Sequence, residues 1–147
     1  MKKEYDRLIH SYGEDIIKSE GMQIAKGHMQ HGNISVYNHS LSVADTCLGI
    51  SERLHIKVNK KALIRGALLH DYFLYDWHEK DKSHKWHGFI HAKRALRNAE
   101  RDFDLGSIEK NMIERHMFPL NIKPPSCRES MILCIADKIC AVKEMIS

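Results

Sequence analysis

Apolar side chains recur every three to four residues through most of the chain, and that period organises the first reading. Leu8, Ile9, Tyr12, Ile16 and Ile17 predict a helix from about Glu4 to Ser19, closed by Gly21. A short amphipathic piece follows (Met22, Ile24, Ala25, Met29), and Gly32-Asn33 is a turn signal. Ser35 is placed to cap a helix that runs to about Leu54 through Leu41, Val43, Ala44, Cys47, Leu48 and Ile50. Asn59 is placed to cap the next, Lys60 to His70, with Ala62, Leu63, Gly66, Ala67 and Leu69 on its apolar face. Between Tyr72 and Lys85 the period breaks into aromatic and charged residues, a loop too long for a plain connector. Helical spacing returns from His87 to about Phe103, and Leu105-Gly106-Ser107 separates it from a shorter helix ending near His116. Pro119, Pro124 and Pro125 stiffen an extended link. Ser126 opens the last helix, Met131 to Ile146, the most apolar piece and therefore the expected centre of the fold. No segment alternates with period two. The expected fold is all-α, a single-domain bundle of five to seven helices over residues 1–147.

Composition narrows the class. The 147 residues are 43% hydrophobic and 29% charged, the balance of a globular chain that can bury a core. The N-terminus, Met1-Lys2-Lys3-Glu4-Tyr5-Asp6, has no apolar stretch after its basic residues, and no apolar run spans a bilayer, so a cytoplasmic location and no membrane partner are expected. Cys47, Cys127, Cys134 and Cys140 form no Cys-x2-Cys pair and read as reduced, mostly buried thiols. A net charge of +4 spread along the chain argues against a dedicated nucleic-acid surface, yet suits a small anionic substrate. The one abnormal count is eleven histidines.

Candidate chemistry gathers around Ala67-Leu68-Leu69-His70-Asp71-Tyr72, where an apolar helix ends in an adjacent imidazole and carboxylate. Asp137 stands inside Met-Ile-Leu-Cys-Ile-Ala-Asp-Lys-Ile-Cys, and an ionised carboxylate in such a setting costs several kcal/mol unless it is paired or binds a metal. His39 falls near the start of its helix, His87 and His91 share a helical face, and His116 ends another helix. Each has a plain reading when taken singly. A C-terminal histidine is favoured by the helix dipole, an isolated helical histidine usually packs, and Asp137 could pair with a base. Five helices each offering a His or Asp at a core-side or terminal position have one common explanation in a metal centre.

The order His39, His70-Asp71, His87, His116, Asp137 resembles the HD-domain superfamily of metal-dependent phosphohydrolases over about Ser35 to Val142. His39, His70, Asp71 and Asp137 are similar to the family's core ligands. His87 and His116 are similar to the added ligands of its binuclear subgroup. His87-Gly88-Phe89-Ile90-His91-Ala92 looks like that subgroup's His-Gly-x-x-Gly-Ala element, with His91 where a glycine is usual. Leu74 stands where the family often has a lysine, and the Gly-Tyr-Pro extension of the cyclic-dinucleotide enzymes is absent.

The resemblance implies one or two divalent ions (Fe, Mn, Zn, Co or Ni) held by His39, His70, Asp71, His87, His116 and Asp137, with Asp71 bridging. It implies an enzyme that hydrolyses a phosphomonoester or phosphodiester, including nucleotide-like substrates, with a metal-activated hydroxide. Asp71 and His91 are the expected catalytic groups. Lys138, Arg115 and Lys85 are the expected phosphate contacts, and the aromatic loop offers Tyr75 and Trp77 to a base. A di-iron oxygenase uses a similar ligand set, and a non-catalytic metal-binding or sensing domain is the third reading.

Overall fold

A computed structural model describes residues 2–27, 29–31, 34–72, 84–119 and 123–146, with side chains described at all of these except 29–31 and 84–91. Seven helices and one short ribbon follow in the order α1 (Lys3–Ile17), α2 (Glu20–Ala25), β1 (Met29–His31), β2 (Ile34–Ser35), α3 (Val36–Arg53), α4 (Lys60–Leu69), α5 (His84–Asp102), α6 (Ser107–Arg115) and α7 (Arg128–Ile146). The all-α expectation holds, and the sequence boundaries fall within a few residues of these. The antiparallel β1–β2 ribbon pairs Met29 with Ser35 and His31 with Ile34, an element too short to show as alternation. The Gly32-Asn33 turn, and the aromatic loop apart from Tyr72 and His84, lie outside the described residues.

Local chemistry sets the helix starts. Ser35 Oγ accepts from the Asn38 amide at 3.1 Å and Asn59 Oδ1 from the Ala62 amide at 3.0 Å, satisfying donors that a helix N-terminus leaves over. The Asn59 amide in turn donates to Glu129 Oε2 at 2.8 Å, which ties the start of α4 to the first turn of α7.

The centre of the fold is α4, not the terminal helix. Every residue from Ala62 to Leu69 is buried, because α1, α3, α5, α6 and α7 all pack against α4. Small residues allow that enclosure. A Cβ on Gly66 would overlap the side chain of Met112 on α6, and one on Gly13 of α1 would overlap Leu68. Arg65 is buried with the rest and is neutralised from outside. Its Nη1 and Nη2 donate to the two Asp15 carboxylate oxygens at 2.7 and 3.0 Å, and Nη1 also reaches the Tyr12 carbonyl.

The expectation that α7 is the centre fails for a specific reason. Ile132, Leu133, Ala136 and Cys140 are buried against the bundle, but Met131, Ile135, Ile139 and Val142 face outward. High apolar content gave α7 two apolar faces, and among the described residues the bundle covers one. The four cysteines are free, with Cys47, Cys134 and Cys140 buried. Among the described residues no helix is long and apolar enough to cross a membrane.

Candidate metal centre

Four elements deliver the site. α3 presents His39 from its first turn on the buried face that Ser35 capping orients. α4 ends at His70, and Asp71 follows as the chain leaves the helix, so two consecutive side chains point the same way. α6 ends at His116 and α7 contributes Asp137.

His70 and His116 share one device. Each is the C-cap of its helix, and each ring Nδ1 lies against the carbonyl oxygen three residues back, Ala67 at 2.6 Å and Ile113 at 2.7 Å. A carbonyl only accepts, so Nδ1 carries the proton and Nε2 faces onward into the cluster. The two rings meet edge to face with centroids 5.0 Å apart, and His70 lies 5.4 Å from His39.

The acids stand between these nitrogens. Asp71 Oδ2 is 3.1 Å from His70 Nε2 and 3.7 Å from His39 Nε2, while its Oδ1 faces His116 Nε2 at 3.7 Å. Asp137 Oδ1 is 2.9 Å from His39 Nε2 and 3.3 Å from His70 Nε2. One ligand atom each from His39, His70, Asp71 and Asp137 lies within 4.8 Å of all the others, a grouping that could hold a metal ion.

Glu144, which sequence reasoning passed over, completes the surroundings. Its carboxylate oxygens lie 2.7 and 2.9 Å from His39 Nδ1, on the far side of the ring from Asp137. Glu144 follows Asp137 by seven residues, two helical turns, so both acids project from one face of α7. That spacing was the available signal.

The electrostatics ask for a cation. Burial opposes charge on His39, yet its hydrogen bond to Asp137 and the nearby Asp71 raise its pKa above the ordinary value. Burial likewise opposes charge on His70, while Asp71 and Asp137 push it well above the usual range. Burial disfavours the Asp137 carboxylate, but His70 and His39 hold it far below an ordinary aspartate.

The donor set fits a divalent transition ion. It mixes imidazole nitrogen with carboxylate oxygen, and His70 Nε2, fully buried, makes no aligned hydrogen bond although two carboxylates lie within 3.3 Å. Its orientation serves a common centre better than it serves either acid.

Other expected residues fall elsewhere. Arg115 Nη1 donates to the Pro124 carbonyl at 2.8 Å, bracing the link after α6. Lys138 Nζ turns back along α7 to the Cys134 carbonyl at 3.3 Å and its sulfur at 2.9 Å. The side chains of Lys85, His87 and His91 lie outside the described residues, although the backbone of all three belongs to α5.

The fold and site together define a class, an all-α bundle in which α3, α4, α6 and α7 bring histidines and aspartates to one cluster that could hold a metal ion. Within it, the HD domain family model matches residues 36–142, most of the chain, and the chain belongs to that family. No curated protein and no solved structure matches it significantly.

Proposed function

We propose that this HD domain is a metal-dependent phosphohydrolase acting on a phosphomonoester or phosphodiester. The observation that carries the reading is the His39, His70, Asp71, Asp137 cluster, four ligand atoms within 4.8 Å of one another inside the family's matched span. When bound there, a divalent ion supplies a Lewis acid and lowers the pKa of water toward about 7.

The chain's own groups do the rest. Both ring nitrogens of His39 face carboxylate oxygens, Nε2 that of Asp137 and Nδ1 those of Glu144, an arrangement that favours protons on both. His39 would hold a bound ion through Nε2 in place of a proton, with Nδ1 still donating to Glu144. His70 and His116 are held in the Nδ1-protonated tautomer by their backbone carbonyls, so their Nε2 atoms are preset as donors of electron pairs. Asp71 turns one oxygen to His39 and His70 and the other to His116, which supports the bridging role proposed for it. In the binuclear form of the proposal, His116 and His87 serve the second position. Asp71 and His91 stay the proposed catalytic groups, and Lys85, Arg115 and Lys138 the proposed phosphate contacts, of which Arg115 and Lys138 must first leave their present partners.

The test is elemental analysis of the purified protein, followed by phosphate release from a panel of mononucleotides, dinucleotides and simple esters with the ion retained. Bound transition metal and turnover of at least one ester are expected, with Asp71→Ala and Asp137→Ala losing both while keeping helical circular dichroism. Full metal content in Asp71→Ala removes the bridging role, and oxygen uptake without phosphate release replaces hydrolase with oxygenase.

A further inference from the structure

We infer that the outer face of α7 is the interface of a two-fold dimer in which the α7 helices of two copies pack antiparallel. The dimer needs nothing from the proposed hydrolase activity, but it assigns Lys138 to the rim of the seam in place of a phosphate contact. It starts from the mismatch noted above, that α7 is apolar on both sides and covered on one. A helix apolar all round belongs in an interior, so the second face calls for a covering element.

The uncovered residues form one continuous seam. At about 100° per residue, Met131, Val142, Ile135, Ile146 and Ile139 fall within an arc of about 80°, and Met145 borders it. These six are 37–79% exposed. Met131 lies beyond the overlap of the antiparallel register that pairs Ile135 with Ile146, and at about 170–200 Å² for a fully exposed residue the other five present on the order of 500–580 Å². A standard interface buries about 800 Å² per partner, of which a little over half, about 450 Å², is apolar. The seam alone therefore meets the apolar requirement of a stable pair. Asp137 and Glu144 lie on the opposite side of α7, so the seam can be covered without obstructing the metal centre.

Spacing and charge choose the partner and its direction. Ile135, Ile139, Val142 and Ile146 are separated by four, three and four residues, the d-a-d-a order of a two-helix seam. Lys138 and Lys143 flank that seam at the g and e positions, one on each side, and both are exposed. A parallel pair sets g against the e position five residues on, which brings Lys138 against Lys143 of the second copy twice over. An antiparallel pair sets g against g. Lys138 then lies beside Met145 of the second copy, its aliphatic stem over the thioether. In that register Ile135 meets Ile146 and Ile139 meets Val142, so the seam is its own complement, as a two-fold axis requires.

Sedimentation equilibrium on the purified full chain reads the state directly. The expected species is twice the 17.1 kDa chain mass. Ile139→Lys and, separately, Val142→Lys place a charge on a face that is exposed in the isolated chain. Each should give a monomer with unchanged helical circular dichroism and metal content. A wild-type monomer at high micromolar concentration overturns the inference, as does a dimer that survives both substitutions.

Direction is read on the wild-type chain by spin-labelling Cys127, the partly exposed native thiol. The antiparallel register places the two labels about 40 Å apart along the helix axis, at 1.5 Å per residue. A parallel pair places them close to the interaxial distance of about 10 Å, and a short distance overturns the inference.

Discussion

Replacing Glu144 by glutamine tests whether the metal centre depends on the group behind its ligands. Glu144 is mostly buried, and both of its oxygens lie within 2.9 Å of His39 Nδ1. With an ion on Nε2, the contact would keep the remaining proton on Nδ1 and strengthen Nε2 as a donor to that ion. Glutamine has nearly the same shape and keeps one accepting oxygen, but it removes the negative charge. A charge-assisted hydrogen bond is worth about twice a neutral one, so about 1–1.5 kcal/mol of support is lost. At about 1.4 kcal/mol per decade, that is about a tenfold weaker dissociation constant for the metal. Glu144→Ala removes the partner altogether and should fall in the 10- to 100-fold range measured for outer partners of metal-bound histidines.

The assay is competition against a chromophoric chelator with Mn2+, Co2+ and Zn2+ in turn, on protein checked for native helical content. The graded order wild type, Gln, Ala is the signature sought. Equal affinities across the three proteins would refute the reasoning and reduce Glu144 to a salt-bridge partner on the terminal helix.

Other perturbations probe the scaffold. Gly66→Ala puts a methyl group into Met112 where α4 meets α6 and should cost about 1–3 kcal/mol in chemical denaturation, with weaker metal binding because His70-Asp71 and His116 hang on those two helices. An unchanged midpoint would show that Met112 relaxes freely. Asn59→Ala removes the cap of the central helix and should cost about 1 kcal/mol by the same measurement. The hydrogen bonds from Arg65 hold the Asp15 carboxyl below its usual range despite some burial, so the pair adds stability above the unfolded aspartate pKa of about 4 and loses it as pH falls through the lower folded value. Asp15→Asn should therefore be destabilised at neutral pH and show a shallower loss on acidification. Parallel stability-against-pH curves for the two proteins would remove Asp15 from acid unfolding.

Much of this molecule is legible in its sequence. Helical period and capping residues placed most of the helices because a lone chain must satisfy its own backbone and segregate its apolar face locally, whereas Gly21, read as a helix end, lies inside α2. The His39, His70, Asp71, Asp137 cluster that could hold a metal was legible for a related reason. Asp137 is a carboxylate embedded in an apolar helix, and His70-Asp71 sits at a helix end where neighbouring side chains can point together. Glu144 was hidden because a glutamate beside a lysine near a helix terminus reads as solvated surface. Only the approach of α3 gives it His39 as a partner, 105 residues away in sequence.

Which apolar helix becomes the centre was likewise beyond local pattern. α4 and α7 are both rich in apolar residues, but Gly66, Ala62 and Ala67 let neighbours close around α4, while α7 is left at the edge with a face to spare. The sequence by itself determined the helices, their caps and the candidate ligand residues, since these follow from contacts a few residues long. The tertiary structure decided which faces are buried, which acid stands behind which imidazole, and where an apolar surface is left over. Those outcomes depend on the packing distances between helices, and no single segment carries that information.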